Sequence, residues 1–253
     1  MPFPSADPQP TAADVISIRD LRAHCASCSL RELCLPMGLG TDAMRELEAL
    51  VVGRQRFKKG AAIFHPGDRF TALYAIRSGS CKTTVSDQSG REQVIGYHLM
   101  GDMVGFDGIE SGQHKCQAVS IEDTEICAVP FARLEELASR LPPLQHNLHR
   151  FLSRELVRDE NLLLAVGSMD AQERIAAFLL SLSQRYQLRG YSSKQFVLRL
   201  TRKDIGSYLG MKLETVSRLL SHLQSKKLIK INKNVIQLLD LQGLKAMIGE
   251  HER

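Results

Sequence analysis

The chain contains no tryptophan, and aromatic residues make up only 6% of it. Its cores must therefore be filled by aliphatic side chains. No apolar run approaches the roughly 20 residues that a membrane-spanning helix needs, so no membrane partner is expected. The first ten residues hold four prolines, with no basic stretch ahead of an apolar one. They do not read as a secretory signal, and the expected location is the cytoplasm. Residues 1–18 read as a loose, proline-stiffened tail. Catalytic apparatus is missing as well. The eight histidines stand in no recognisable arrangement with carboxylates or nucleophiles, and no phosphate-binding loop is present. The glycines of GDMVGFDG (101–108) read as a turn in β-rich sequence. An enzyme is not expected.

What is present is the balance of a globular protein, 43% hydrophobic and 24% charged over 253 residues. That length allows one large domain or two of ordinary size. Residues 42–52 read as a short amphipathic helix. From about Gln55 glycines fall at 60, 67, 79, 90, 101 and 112, the last five spaced by 12, 11, 11 and 11. Short β-forming runs lie between them, the pattern of a small antiparallel sandwich or barrel. It ends near Pro130. After Pro142-Pro143 a helical run continues to about Gly167. Within it Leu148, Leu152, Glu155, Asp159, Leu162 and Val166 step by 4, 3, 4, 3, 4, as in a coiled-coil seam. A further helix covers 171–190, followed by a short strand (196–200), two helices around Gly210 and a β-rich tail (228–240).

Charge is unevenly placed. Between Lys194 and Lys233 there are ten basic residues against Asp204 and Glu214. That window carries +8 in a chain of net charge +5, which leaves −3 for everything else. A basic segment of this kind points to nucleic acid. Residues 201–224 (TRKDIGSYLGMKLETVSRLLSHLQ) read as helix, glycine turn, helix, with Thr201 and Asp204 as a capping-box variant. Leu213, Val216, Leu219, Leu220 and Leu223 form the inner face of the second helix. Glu214, Ser217, Arg218 and Ser221 lie outward. Arginine donates two hydrogen bonds to guanine and glutamate accepts from the cytosine amino group, so Glu214 and Arg218 are placed as base readers. The other reading is an ordinary i,i+4 surface pair.

Six cysteines are too few and too clustered for a disulfide scaffold in a reducing compartment. Cys25, Cys28 and Cys34 form C-x2-C-x5-C, which can wrap one side of a metal or cluster. Cys81, Cys116, Cys127 and, for zinc, His24 are candidates for a fourth ligand. Spacing alone leaves the choice open. Cys81 and Cys116 lie in alternating strand patterns and suit a buried core.

The order of parts, with CSLRELCLP, YAIRSG, MGDMVGFD, QERIAAFLLSLS, DIGSYLG and LETVSRLL, resembles the CRP/FNR regulators along most of residues 24–240. Glu-x-x-Ser-Arg within LETVSRLL is similar to the FNR branch, the FNR/ANR-type oxygen-sensing iron–sulfur regulators. The resemblance implies an α+β fold: an N-terminal cyclic-nucleotide-binding-like β-roll (jelly roll), a long dimerisation helix and a C-terminal winged helix-turn-helix. The implied domains are 19–140, 141–169 and 170–253. It further implies a [4Fe-4S] cluster on Cys25, Cys28, Cys34 and Cys127, since the family places its fourth ligand in a segment like EICAVPF. Ser29 sits where such proteins tune cluster stability toward oxygen.

By the same resemblance, Glu214, Ser217 and Arg218 read double-stranded DNA at a palindromic operator similar to TTGAT-N4-ATCAA. The chain is expected to form a homodimer when the cluster is bound, through Leu148, Leu152, Glu155, Asp159 and Leu162. Acids on that seam would meet their own copies, which makes the dimer marginal and easily tipped. Oxygen is expected to disassemble the cluster and release DNA. RNA polymerase is an implied partner, with the YAIRSG turn (74–79) and the loop near Gly90 as surfaces. No cyclic nucleotide is expected, because the Arg-Ser pair that grips a cyclic phosphate in CRP-type pockets is absent after Gly101-Asp102. The alternative is a DNA-binding regulator of the same fold with a zinc or thiol-redox site, or no cluster, and no response to oxygen.

Overall fold

All six glycines that punctuate the β-region adopt left-handed backbone angles, φ between +70° and +89°. L-residues pay a steric penalty there. At Gly79 a Cβ would also stand 2.6 Å from the Asp123 carbonyl oxygen, so the turn closes only around glycine. The strands that these turns join are β1 (Val15–Ile18), β2 (Arg54–Phe57), β3 (Ala62–Phe64), β4 (Ala72–Ser78), β5 (Ser80–Ser86), β6 (Glu92–Leu99), β7 (Met103–Val104), β8 (Gln117–Ser120) and β9 (Thr124–Pro130). They form two sheets, ordered β1-β2-β9-β4-β7 and β3-β8-β5-β6. Phe57, Phe64, Ile76, Cys81, Val104, Cys116, Ala118 and Ile126, drawn from both sheets and the turns between them, share one buried core. Cys81 and Cys116 are thus core residues, as their alternating patterns predict.

The structure, a computed structural model, describes residues 15–18, 24–87 and 89–249. It divides into two units, Met1–Val85 with Gly96–His149 and Ser86–Ile95 with Arg150–Arg253. The expected tail ends sooner than residue 18. Val15–Ile18 pairs antiparallel with Arg54–Phe57 as an edge strand, while residues 1–14 lie outside the described residues. In the first unit α1 (Thr41–Leu50) buries Met44, Leu47 and Leu50. A helix not expected from sequence, α2 (Phe131–Arg140), follows β9 directly and buries Leu134, Leu137 and Ala138. Its apolar residues show a clear helical period, but the run is only ten residues long. The long helix α3 spans Pro142–Ser168, and Pro142–His149 belongs to the first unit.

A part-buried carboxylate closes the turn after β7. Asp107 accepts from the Lys115 N–H at 2.7 Å, the Cys116 N–H at 3.1 Å and the Cys116 thiol at 3.3 Å. His114 Nδ1 lies 3.1 Å from it and its ring stacks on Phe64 at 3.7 Å. Burial by itself pushes this acid up; the four donors more than reverse that and hold it down at about 2. A folded-state value below the ordinary 3.8 means the stabilisation is present above that value and is lost as pH falls through about 2. Asp107→Asn is expected to cost about 2 kcal/mol at pH 7. Urea titrations near pH 7 and below pH 3 check this: the gap between variant and parent should shrink in acid.

In the second unit α4 (Ala171–Gln187) starts with a full capping box, Asp170 accepting from Gln172 and Glu173 N–H while Glu173 accepts from Asp170 N–H. Then come β10 (Gln195–Val197), α5 (Arg202–Leu209), α6 (Leu213–Ser225), β11 (Ile229–Asn232), β12 (Val235–Leu238) and α7 (Leu241–Met247). The strands form a small sheet ordered β10-β12-β11. Arg174 ties the unit together. Its guanidinium donates to the carbonyls of Val166 (2.8 Å) and Met169 (2.9 Å) at the end of α3, and of Leu209 (3.1 Å) at the end of α5. Carbonyls at a helix C-terminus lack intrahelical donors and carry partial negative charge, so one arginine satisfies two helix ends. Among the described residues, no helix is long and apolar enough to cross a membrane.

Candidate metal centre and nucleic-acid interface

The three loop cysteines each open a tight turn. The carbonyls of Cys25, Cys28 and Cys34 accept from the N–H three residues on, each at 3.1 Å. The loop is fixed to α1 where Glu48 accepts from the Ala26 N–H at 2.8 Å. Cys127 sits mid-strand in β9, its Cα paired with Arg54 on β2 and with Ala75 on β4. Together Cys25, Cys28, Cys34 and Cys127 line one cavity of about 40 Å³. The rest of its wall is mainly aliphatic, from Leu30, Leu35, Leu47, Ile76 and Val129 among others. Cys81, Cys116 and His24 are not part of it, and Ser29 and His24 are exposed. Among the described residues, no three His, Cys, Asp or Glu side chains converge closely enough to hold a single metal ion.

Burial pushes the thiols of Cys25 and Cys34 up to about 12, and their sulfur neighbours push the same way. Cys127 is raised by burial to about 11, against the pull of Arg77. Metal ligation would have to displace protons from these thiols. Arg77 lines the cavity, and its guanidinium is held at 3.1 Å by Glu125. Arg54 and Arg56 approach the same carboxylate at 3.6 and 3.3 Å. Of the three, Arg77 alone brings its guanidinium to the cavity wall, where it opposes the upward shift of Cys127 and Cys25. The sequence reading missed this cluster, whose members lie far apart along the chain.

In the second unit, Thr201 and Asp204 cap α5 reciprocally, as the motif predicts. Gly210 ends α5 with φ +66°. The turn is tight at Gly206, where a Cβ would meet the Met211 carbonyl oxygen at 2.5 Å. Val216, Leu220 and Leu223 face inward from α6. Leu213, expected on that inner face, is 45% exposed; as the first residue of α6 it precedes the turn that packs. Glu214, Arg218 and Ser221 are exposed and Ser217 is half-exposed. Among the described residues neither Glu214 nor Arg218 forms an ion pair, so the i,i+4 surface pair is not made. The N-cap of α6, Lys212, makes no side-chain capping bond. The hairpin β11–β12 turns at Lys233, with φ +55°, and Lys226, Lys227, Lys230 and Lys233 are all exposed beside the helix pair.

A helix pair followed by a two-stranded wing is a winged helix-turn-helix, and comparison with known proteins agrees. Residues 173–247 match the Crp-like helix-turn-helix domain, and residues 54–140 match the cyclic nucleotide-binding domain. The chain is 44% identical to the transcriptional regulatory protein btr of Bordetella pertussis, over 90% of this chain and 94% of that one. The chain belongs to the CRP/FNR family of transcriptional regulators. It is also 38% identical to the anaerobic regulatory protein of Haemophilus influenzae, over 90% of this chain and 89% of the relative. In structure this CRP/FNR regulator is similar to FixK2 from Bradyrhizobium japonicum. That similarity has a TM-score of 0.71 and 29% identity, covering 79% of this chain and 98% of that one. The expected fold class and the absence of an enzymatic role are those of the relatives, which are named as regulators.

Proposed function

We propose that this CRP/FNR regulator is an oxygen-responsive, global regulator of transcription that holds a [4Fe-4S] cluster on Cys25, Cys28, Cys34 and Cys127. The observation that carries the reading is the single aliphatic cavity lined by those four thiols and by no other cysteine. When bound, the cluster supplies an oxygen-labile cross-link between the cysteine loop and β9. Four thiolates are the usual ligation for such a group. The chain's own residues do the rest. Arg77 offsets the charge of the thiolates, the apolar wall excludes water, and Glu48 holds the loop at its start.

Pairing of two copies runs along α3 in this reading, at a face slightly turned from the expected seam. Leu148 is only 9% exposed and packs within its own chain, and Glu155 pairs with Arg158. The exposed apolar residues of α3 are Leu152 (39%), Leu156 (60%), Val157 (49%), Leu163 (73%), Leu164 (55%) and Val166 (38%). Of these, Leu152, Leu156, Leu163 and Val166, with Asp159 between them, step by 4, 3, 4, 3, so that stripe shares Leu152, Asp159 and Val166 with the sequence-derived seam. Burial pushes the Asp159 carboxyl up, and Arg158 opposes it. Across a two-fold axis Asp159 would meet its own copy. Asp159→Ala is expected to tighten metal-free pairing roughly tenfold, equivalent to about 1–2 kcal/mol. Sedimentation equilibrium in air measures this, and an unchanged dissociation constant would put Asp159 off the interface.

Glu214, Ser217 and Arg218 read the bases of each half-site, and the +8 basic window supplies phosphate contacts. The operator is a palindrome similar to TTGAT-N4-ATCAA. RNA polymerase contact and a cytoplasmic location rest on the family resemblance. In this reading no cyclic nucleotide is used, because no arginine-serine pair follows Gly101-Asp102 to grip a cyclic phosphate. Anaerobic purification with iron and sulfide counts, then sizing and operator binding before and after air, tests the whole. About four irons and four sulfides per chain, with pairing and operator binding lost in air, is the expected result. Zinc or no metal, with binding indifferent to air, would leave a DNA-binding protein without the sensor.

A further inference from the structure

The cysteine loop is held at its two ends by different elements. At its start the tie to α1 is an exposed bond, Ala26 N–H to Glu48. At its end the tie is buried and reaches α3. Asn147, 4% exposed, donates from its Nδ2 to the Leu35 carbonyl at 2.9 Å and to the Met37 carbonyl at 2.7 Å. A side-chain amide nitrogen carries two hydrogens, so both are used. The two acceptors lie one and three residues after Cys34, and the Cys34 carbonyl itself accepts from the Met37 N–H. Breaking the clasp would strand a buried amide and two carbonyls, which makes the contact all-or-none rather than gradual. Asn147 stands only five residues before Leu152, within the same unbroken α3. A helix is stiff over such a span, about 7 Å, so a shift of its first turns is passed to the exposed stripe.

We propose that Asn147 is the positioning residue through which the state of the cysteine loop reaches the pairing face of α3. The proposal rests on the reading of the loop as a cluster site. With the loop drawn together on the cluster, Leu35 and Met37 hold Asn147 and set the first turns of α3. With the loop slack, the clasp slackens and the stripe loses its paired orientation. Coupling of this kind is reciprocal: whatever the loaded loop adds to pairing, pairing adds to retention of the loaded loop.

The test uses the full chain and Asn147→Leu, which keeps the volume and removes both donors. Iron and sulfide are counted, and the dimer dissociation constant is measured anaerobically for loaded and metal-free protein. In the parent the two constants should differ by a factor of about 5–150, the usual range for such coupling. In N147L, still carrying iron and sulfide, that ratio should collapse toward one. A residue that only supports the fold would shift both constants together and leave the ratio intact, and that result overturns the proposal. Should N147L fail to fold, Asn147→Ala removes the same donors and is read in the same way.

Hydrogen exchange on the metal-free parent and variant separates this idea from the cofactor reading. Loss of the clasp should raise exchange at residues 35–39 and 144–148 together. A rise on one side only sinks the clasp, whatever metal the chain holds. A parent without iron or sulfide sinks the cofactor and leaves the exchange result decisive.

Discussion

Replacing Cys127 by serine is expected to bring iron and sulfide in anaerobically purified protein down to background. Operator affinity should fall at least a hundredfold, the factor expected if about one chain pair in a hundred stays in the binding-competent state. A serine hydroxyl does not ionise near neutral pH and is a poor iron ligand, whereas thiolates are the usual donors to such clusters. The position is decisive because Cys127 is the thiol contributed by the sheet. Cys25, Cys28 and Cys34 all lie on the loop, while Cys127 lies on β9 between Arg54 and Ala75. Without it nothing in the cavity ties the loop to the sheet through metal. Cys81→Ser and Cys116→Ala are the controls. Both positions belong to the β-roll core, so these changes should alter stability and leave iron content alone. Iron retained in C127S, or lost in C81S folded to the same extent, would transfer the ligand role elsewhere.

Arg218→Ala should weaken operator binding by about 1–3 kcal/mol per half-site and relax sequence preference at one base position. A two-fold dimer on a palindrome carries two copies of the change, and well-separated sites add. The total is then about 2–6 kcal/mol. The expectation rests on an exposed guanidinium with no ion-pair partner among the described residues, on a helix whose opposite face is buried through Val216, Leu220 and Leu223. Lys233→Ala at the wing turn is the contrast. It should weaken binding to all sequences alike and lower the slope of log affinity against log salt by about one. Competition titrations over single-base variants of the operator, at two salt concentrations, distinguish the two kinds of contact. An R218A protein with unchanged base preference would remove Arg218 from base reading.

Much of the architecture was legible because its signals are local. Glycines at near-regular spacing marked the β-roll turns, since a left-handed residue is required at each. The capping box at Thr201 and the glycine at 210 marked the helix pair, since helix ends need satisfied N–H groups and a left-handed stop. The cysteine loop announced itself by spacing alone. The short helix α2 was missed because it follows β9 without a break, and the edge strand β1 because its pairing partner is some forty residues away.

By itself, then, the sequence determined the class of the protein, the order of its parts, the helix-turn-helix pair with its basic surroundings and the spacing of the three loop thiols. These depend on neighbours along the chain. The tertiary structure shows which distant thiol shares a cavity with the three loop thiols: Cys127 on β9 lines it, while Cys81 and Cys116 lie in the β-roll core. It decided the exposed face of α3 as well. A 4,3 repeat is satisfied by more than one stripe on the same helix, and packing that buries Leu148 leaves Leu156 and Leu163 outside. It also placed Asn147 on the loop and Asp107 on its ring of donors, because a buried or part-buried polar side chain finds its partners through space, where sequence spacing carries no record of them.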